Sequence, residues 1–134
     1  RTSVPGVWAV GDIVSGGLKF THAADHMARG LLRNALFPGK SRLDFSSVPW
    51  VTYTEPELAH IGLTEAEARQ RHGDRIGVWR RDVGAVDRVI ADGGPAGMVK
   101  IVTDARGRVL GGHILGPHAG DMIGELTIAL KHGM

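Results

Sequence analysis

Residues 4–12 have the sequence VPGVWAVGD, an apolar run that follows a Pro-Gly turn and ends in Gly11-Asp12. A continuous apolar run such as residues 7–10 is typical of a parallel strand that is covered on both faces. In open α/β sheets, the carboxyl ends of such strands border the crevice where ligands bind. An ionised Asp offers only hydrogen-bond acceptors, so Asp12 would suit the hydroxyl groups of a sugar or polyol. The alternative, a strand that enters an ordinary Gly-Asp turn, requires no ligand.

A helix is predicted shortly after this stretch. Residues 15–17 form a glycine-containing loop, and Thr21 has the side chain of a helix N-cap. Apolar residues then recur at helical spacing, at Ala23, Ala24, Met27, Ala28, Leu31, Leu32, Ala35 and Leu36. The sequence Phe-Pro-Gly at residues 37–39 predicts the end of the helix. A ligand near Asp12 would therefore also face the N–H groups and the positive dipole end of this helix.

From residue 45 onward, short β-rich segments alternate with two helices. Strands are predicted at residues 48–54, 58–61, 76–83, 98–103 and 109–115. A capping box of Thr64 and Glu67 begins the first of these helices, and Gly73 ends it. Residues 119–131 have the apolar spacing of the second helix.

The order of these elements predicts an α+β fold in which helices pack on an antiparallel sheet. Residues 104–108 have the length and the glycine of a hairpin loop between the last two strands. The glycine-rich segment 84–97 fits either a short helical turn or a strand extension. A polar, irregular stretch places a domain boundary near Asp44, which divides the chain into residues 1–44 and 45–134.

Composition excludes several classes of function. Hydrophobic residues at 43% and charged residues at 22% are typical of a globular protein. Sixteen Lys and Arg against 14 Asp and Glu give a net charge of only +2 without a basic stripe, so nucleic acid is not an expected partner. No apolar run approaches the roughly 20 residues of a transmembrane helix, so we expect a cytoplasmic protein without a membrane anchor. The absence of cysteine excludes a thiol nucleophile and a thiolate metal site in this chain.

The histidines and acids form no recognisable catalytic or metal-binding pattern. His22 and His26 are one helical turn apart, but no Glu accompanies them as in HExxH, so a structural role is favoured over metal binding. His113 and His118 have no Ser or Cys nucleophile arranged beside them. Three further acids are expected on the solvated surface, at Glu55, Glu57 and Glu125. We therefore expect neither a catalytic residue nor a metal site here.

The segment TSVPGVWAVGD, residues 2–12, resembles the second flavin-binding motif of the pyridine nucleotide-disulfide oxidoreductases. The resemblance continues, in the family's order, through YTEPELA (53–59), IGLTE (61–65), LGGHILG (110–116) and AGDMI (119–123). These four segments resemble landmarks of the family's C-terminal interface domain. The resemblance therefore covers nearly the whole chain.

The resemblance implies a flavin cofactor, FAD, and roles for five residues. Gly11 and Asp12 match the motif that binds FAD, with the carboxylate on the ribityl chain. Thr21, His22 and Ala23 match the helix start that lies by the pyrimidine edge of the flavin. A helix N-terminus at that edge stabilises the negative charge that develops when the ring is reduced.

The resemblance also implies how the chain is divided and what it pairs with. Residues 1–44 correspond to the C-terminal end of the FAD-binding domain, and residues 45–134 to a dimerisation domain truncated at its C-terminus. From about Asp44 onward, the chain would form the interface of a homodimer. NAD(P)H would be the co-substrate of the parent enzyme.

Several motifs of the family are not found in these 134 residues. They are the N-terminal FAD fingerprint, the CxxxxC redox pair, the nicotinamide-binding domain and the C-terminal His-Pro segment. We therefore predict a C-terminal fragment of an FAD-dependent NAD(P)H:disulfide-type oxidoreductase, inactive by itself, with catalysis assigned to the parent enzyme. The alternative is a free-standing α+β dimerisation module without redox activity. The substrate, and the choice between NADH and NADPH, are not encoded in these residues.

Overall fold

The computed structural model describes residues 1–84, 86–94 and 97–134. Two compact units divide the chain, Arg1–Phe45 and Ser46–Met134. Among the described residues, the first unit contains a 3₁₀ turn and one helix, and the second contains five strands and three helices. Within these ranges, no helix has both the length and the apolar composition that a bilayer span would require.

The apolar stretch before Gly11 is extended but is not a strand. Val10 has φ −141° and ψ 157°, yet the described residues of the first unit include no strand with which residues 7–10 could pair. The hydrogen bonds of this stretch are local, such as the bond of 3.2 Å from Val7 N–H to the Val4 carbonyl oxygen. The strand predicted here is therefore wrong for this unit, because a strand needs a neighbouring backbone to pair with.

Helix α1 spans Thr21–Leu36. Its N-cap is Phe20, with an extended backbone at φ −135° and ψ 148°, and Thr21 is the first helical residue. The prediction of Thr21 as N-cap is wrong, because a cap residue keeps a non-helical backbone and Thr21 already lies in the helix. The predicted end is confirmed, since Phe37 is the C-cap. The helix buries three residues, Ala23, Met27 and Gly30.

The second unit is built on a five-stranded antiparallel sheet with the strand order β1-β2-β5-β4-β3. The strands span Trp50–Thr52 (β1), Glu57–Gly62 (β2), Ile76–Asp82 (β3), Met98–Asp104 (β4) and Val109–Gly116 (β5). The central strand, β5, pairs with β2 on one side and with β4 on the other. The predicted α+β fold class is confirmed.

Three helices complete the second unit, α2 (Glu65–His72), α3 (Asp87–Ala91) and α4 (Ala119–Lys131). The predicted capping box of α2 is confirmed: Thr64 Oγ1 accepts from Glu67 N–H at 3.2 Å, and Glu67 Oε2 accepts from Thr64 N–H at 2.9 Å. Helix α3 shows that the glycine-rich segment 84–97 contains a helical turn. Residues 85, 95 and 96 of that segment lie outside the described residues.

The core of the second unit lies between α4 and one face of the sheet. It contains five buried apolar residues, Ala59, Ile61, Ile114, Ala119 and Ile123. Gly112 in β5 allows α4 to approach the sheet, because a Cβ at this position would lie 2.6 Å from Leu126 Cδ1. Glu57, expected on the solvated surface, is half-buried, and its Oε2 accepts from Gly120 N–H at 2.9 Å. This acid therefore ties β2 to the first turn of α4, which corrects the prediction for Glu57.

Candidate functional site

The predicted ligand residues Gly11 and Asp12 lie in the 3₁₀ turn Gly11–Ile13. Gly11 has φ +77°, a conformation that glycine adopts without the strain that a Cβ would bring. Its N–H donates to Sδ of Met27 at 3.4 Å, and a Cβ built on it would lie 3.7 Å from Cβ of Ala24. The turn therefore packs against the first two turns of α1, and Asp12 is exposed to solvent in it.

The first turn of α1 holds the other three predicted ligand residues. Thr21 and His22 are exposed, whereas Ala23 is fully buried, at 0% exposure. No side-chain hydrogen bond caps the helix at Phe20, and Ala24 N–H donates to the Phe20 carbonyl oxygen at 3.0 Å. The first turn of α1 carries the positive end of the helix dipole. Ala23 can offer a ligand only its backbone.

The two histidines of α1 contact different aromatic rings. The His22 ring stacks on Phe20, with centroids 5.6 Å apart and planes at 20°. The His26 ring meets Phe45 edge to face, with centroids 5.5 Å apart. Among the residues that the structure describes, His, Asp and Glu side chains form no group of three or more that could hold a metal ion.

A largely apolar cleft of about 440 Å³ lies within the first unit. Its lining includes Trp8, Val10, Met27, Leu31 and Leu43, and none of the five predicted ligand residues. The cleft has no local sequence signal, because its apolar residues 8 and 10 also fit a strand that is covered on both faces. The five predicted ligand residues therefore do not line the concave apolar surface of this unit.

Helix α4 is apolar on more than its buried side. Ile123 is buried against the sheet, whereas Met122 and Ile128 are 39% and 59% exposed. Asp121 and Glu125 are exposed on the same helix. Exposed apolar residues on a helix whose opposite side is already buried are typical of a helix that is covered on a second side. The outer face of α4 is therefore a candidate interface.

The other face of the sheet carries a pair of histidines on neighbouring strands. His60 of β2 and His113 of β5 are register partners, and their Nδ1 atoms are 2.9 Å apart. Burial lowers the pKa of both rings, and the charge of His60 lowers the pKa of His113 further. Trp50 stacks on His60, with ring centroids 4.8 Å apart. Sequence spacing does not predict this pair, because only the strand register brings His60 beside His113.

Comparisons with known proteins agree with this architecture. A family model described as the dimerisation domain of pyridine nucleotide-disulphide oxidoreductases matches residues 48–134. The dihydrolipoyl dehydrogenase of Thermus scotoductus is 41% identical over 134 residues, which are 99% of this chain and 28% of that protein. The human mitochondrial dihydrolipoyl dehydrogenase is 35% identical over 99% of this chain and 26% of its own length.

A solved structure of a flavoprotein disulfide reductase contains the same fold. The chain superposes on the HOCl-induced flavoprotein disulfide reductase RclA from Escherichia coli, in its Cu(II) complex, with a TM-score of 0.83 and 29% identity. The match covers 100% of this chain and 30% of that protein. The chain thus spans somewhat over a quarter of the length of the curated relatives it matches. On these grounds, the chain belongs to the family of pyridine nucleotide-disulphide oxidoreductase dimerisation domains, which it matches over residues 48–134.

Proposed function

We propose that this chain is the part of an FAD-dependent NAD(P)H:disulfide-type oxidoreductase that forms the subunit interface and one edge of the flavin site. The observation that carries the proposal is the continuity of the match: dihydrolipoyl dehydrogenases align with 99% of the chain, across both units. Residues 1–44 would be the end of the FAD-binding domain, and residues 45–134 the dimerisation domain. Reduction by NAD(P)H would belong to the parent enzyme.

The dimer interface would lie in the second unit, from about Asp44 onward. The exposed apolar residues of α4 support this assignment, because burial of Ile128 and Met122 against a second copy would remove apolar surface from water. Helical spacing places Asp121 and Glu125 between Met122 and Ile128 around α4, so the interface would be partly polar. The partner would therefore be a second copy of this chain.

The dimer is tested by light scattering coupled to gel filtration of the 134-residue chain. A dimer of 14.3 kDa chains is expected. Ile128→Asp would place a charge in the interface and weaken association by about 10-fold to 100-fold, because an unpaired buried charge is costly. Ile90→Asp is the matched control, since Ile90 is 62% exposed on α3 and does not belong to the exposed face of α4 on which the interface is proposed. A monomer at every concentration, or equal effects of the two variants, would contradict the assignment.

The flavin edge would consist of Gly11, Asp12, Thr21, His22 and Ala23. The residues fit a flavin: an exposed carboxylate in a turn against α1, and a helix start without a side-chain cap. FAD, when bound, supplies the two-electron redox chemistry of such enzymes. Asp12 would accept hydrogen bonds from ribityl hydroxyl groups. The N–H groups at the start of α1 would stabilise negative charge at the ring edge.

This edge is tested by Asp12→Asn in the parent enzyme. Loss of the charged acceptor is expected to weaken FAD binding by about 10-fold or more, because hydrogen bonds to charged groups contribute about 1.5–3 kcal/mol. Asp25→Asn is the control, since Asp25 is an exposed carboxylate of α1 that pairs with Arg29 at 2.8 Å. Fluorescence titration of the apoenzyme with FAD measures both variants. Unchanged affinity in Asp12→Asn would contradict the proposed contact.

Disulfide chemistry would have to come from outside these residues, because the chain contains no cysteine. We expect the purified chain to be colourless and inactive, and a yellow preparation with stoichiometric flavin would contradict this expectation. The alternative function, a free-standing dimerisation module, predicts a cellular protein of about the mass of this chain, 14.3 kDa. Mass spectrometry of the protein isolated from its source distinguishes the two, since the parent enzyme would be several times larger.

A further inference from the structure

The pair His60 and His113 lies on the face of the sheet opposite α4. The neighbours of these histidines along the strands, Ala59, Ile61 and Ile114, are buried in the core under α4. Side chains alternate between the two faces of a strand, so both imidazoles point away from that core. Their strands are paired in register at these two residues. The approach of the two rings is therefore built into the sheet and does not depend on a mobile loop.

A backbone carbonyl determines which nitrogen of His60 carries the proton. Nε2 of His60 lies 3.0 Å from the carbonyl oxygen of Gly62, and a carbonyl only accepts hydrogen bonds. In the neutral ring, Nε2–H therefore donates to Gly62, and Nδ1 presents its lone pair toward His113. Histidines that bind metals commonly donate their other N–H to a backbone carbonyl in this way, which orients the ring and raises its basicity.

The His113 ring can supply a second lone pair at the same point. Its Nδ1 lies 2.9 Å from Nδ1 of His60, so one of the two atoms must hold the proton between them. Nε2 of His113 is buried and makes no hydrogen bond of ordinary geometry, although the backbone of Leu63 is close enough to raise the pKa of this ring. Transfer of the shared proton to Nε2 of His113 would leave a lone pair on each of the two Nδ1 atoms. Both lone pairs would then face the space between the rings.

We propose that His60 and His113 form a two-histidine site for Cu²⁺, held by the two Nδ1 atoms in place of the proton that they share. A metal-bound imidazole nitrogen lies about 2.0–2.1 Å from the ion. Two ligands at right angles would then lie about 2.9 Å apart, and two tetrahedral ligands about 3.3–3.4 Å apart. The 2.9 Å between the two Nδ1 atoms is the length of their shared hydrogen bond, and an ion bound at a right angle would need no further separation of the rings. Square-planar nitrogen sites favour Cu²⁺ and Ni²⁺, and of these Cu²⁺ binds more tightly.

The charges around the pair act in opposite directions: Lys100 lowers the pKa of His113, and Glu67 raises it. Lys100, the register partner of His113 on β4, would oppose a cation, but its ammonium pairs with Glu65 at 2.5 Å. The carboxylate of Glu67 favours positive charge on both rings, since it raises the pKa of each. Both rings are half-buried, so part of each remains open to solvent.

The proposal is tested by titration of the tag-free chain with Cu²⁺, followed by calorimetry and electron paramagnetic resonance. One tightly bound ion with two imidazole nitrogens is expected. His60→Gln and His113→Gln should each weaken this binding by about 10-fold or more, because each removes one of two nitrogen ligands. The matched control is the double variant His22→Gln/His26→Gln, which removes the histidine pair of α1. Loss of binding in the control, with binding retained in His60→Gln/His113→Gln, would overturn the proposal.

A second measurement needs no variant. In the unaltered chain, substoichiometric Cu²⁺ should broaden the imidazole NMR signals of His60 and His113 before those of the other five histidines. A variant that fails to fold would not affect this result. Broadening that begins at His22, His72 or His132, or that spreads evenly over all histidines, would show that the pair is not the preferred site.

Discussion

The two units of the chain differ in how completely each covers its own apolar residues. The second unit encloses a core between α4 and its sheet, and Ala59, Ile61 and Ala119 are fully buried there. The first unit has one helix, and Ile13 and Leu36 are 81% and 72% exposed. The difference indicates that the second unit has the elements of an independent fold, whereas the first needs further surface to be stable.

The largest expected effect comes from separation of the units. Residues 46–134 alone should unfold cooperatively, with a free energy of unfolding of about 5 kcal/mol or more. Residues 1–45 alone should be largely unfolded, because an isolated 16-residue helix is marginal in water. Far-UV circular dichroism during thermal unfolding measures both. A cooperative transition in residues 1–45, or the absence of one in residues 46–134, would contradict the inference that only the second unit folds independently.

The second-largest effect is expected where the backbone of Gly111 contacts the backbone of Leu63. A Cβ on Gly111 in β5 would overlap the carbonyl oxygen of Leu63, and neither backbone can move without disturbing the sheet. Gly111→Val should therefore lower the free energy of unfolding by about 3 kcal/mol or more. Urea denaturation provides the measurement.

The matched control for this substitution is Gly124→Ala in α4. A Cβ there would meet no atom within 4 Å, and alanine favours the helix by about 0.5–1 kcal/mol over glycine. Gly124 lies one helical turn from Ile128, so the two variants are compared at a concentration where the chain is monomeric, and Gly124→Ala should there be neutral or slightly more stable. If Gly111→Val were as stable as Gly124→Ala, the close approach between β5 and residue 63 would not be a requirement of the fold.

The smallest expected effect is the difference in stability between two threonine substitutions, one at the start of α1 and one at the start of α2. Thr64 caps α2, so Thr64→Ala should lower the free energy of unfolding by about 1 kcal/mol. Thr21 lies inside α1 and is not its N-cap, so Thr21→Ala should change stability by less than about 0.5 kcal/mol. Urea denaturation of the intact chain compares the two. Equal losses would show that Thr21 has a capping role.

The fold of the second unit could be predicted from sequence because its signals are local. The capping box at Thr64 and Glu67 and the apolar spacing of residues 119–131 each depend on neighbours within a few residues. The same kind of signal failed at residues 7–10, because an apolar run indicates burial and not the presence of a pairing partner. The roles of the five proposed flavin residues stay predictions.

Contacts between distant residues account for what the sequence could not reveal. Glu57 accepts from Gly120, and His60 meets His113, only because the antiparallel register of β2 and β5 brings these strands together. No spacing along the chain predicts either contact. Residues far apart in sequence also line the apolar cleft of the first unit, and two of them, at positions 8 and 10, were expected in a covered strand.

The order of the strands has a consequence for solubility. The sheet ends at β1 and β3, and an edge strand with unpaired backbone groups invites pairing with other chains. β1 has only three residues, Trp50–Thr52, too few for extended growth of a fibril. β3 is longer but carries Arg80, Arg81 and Asp82, whose charges repel a stacked copy of the same strand. Replacement of these charges by apolar residues would turn this edge into a site of aggregation.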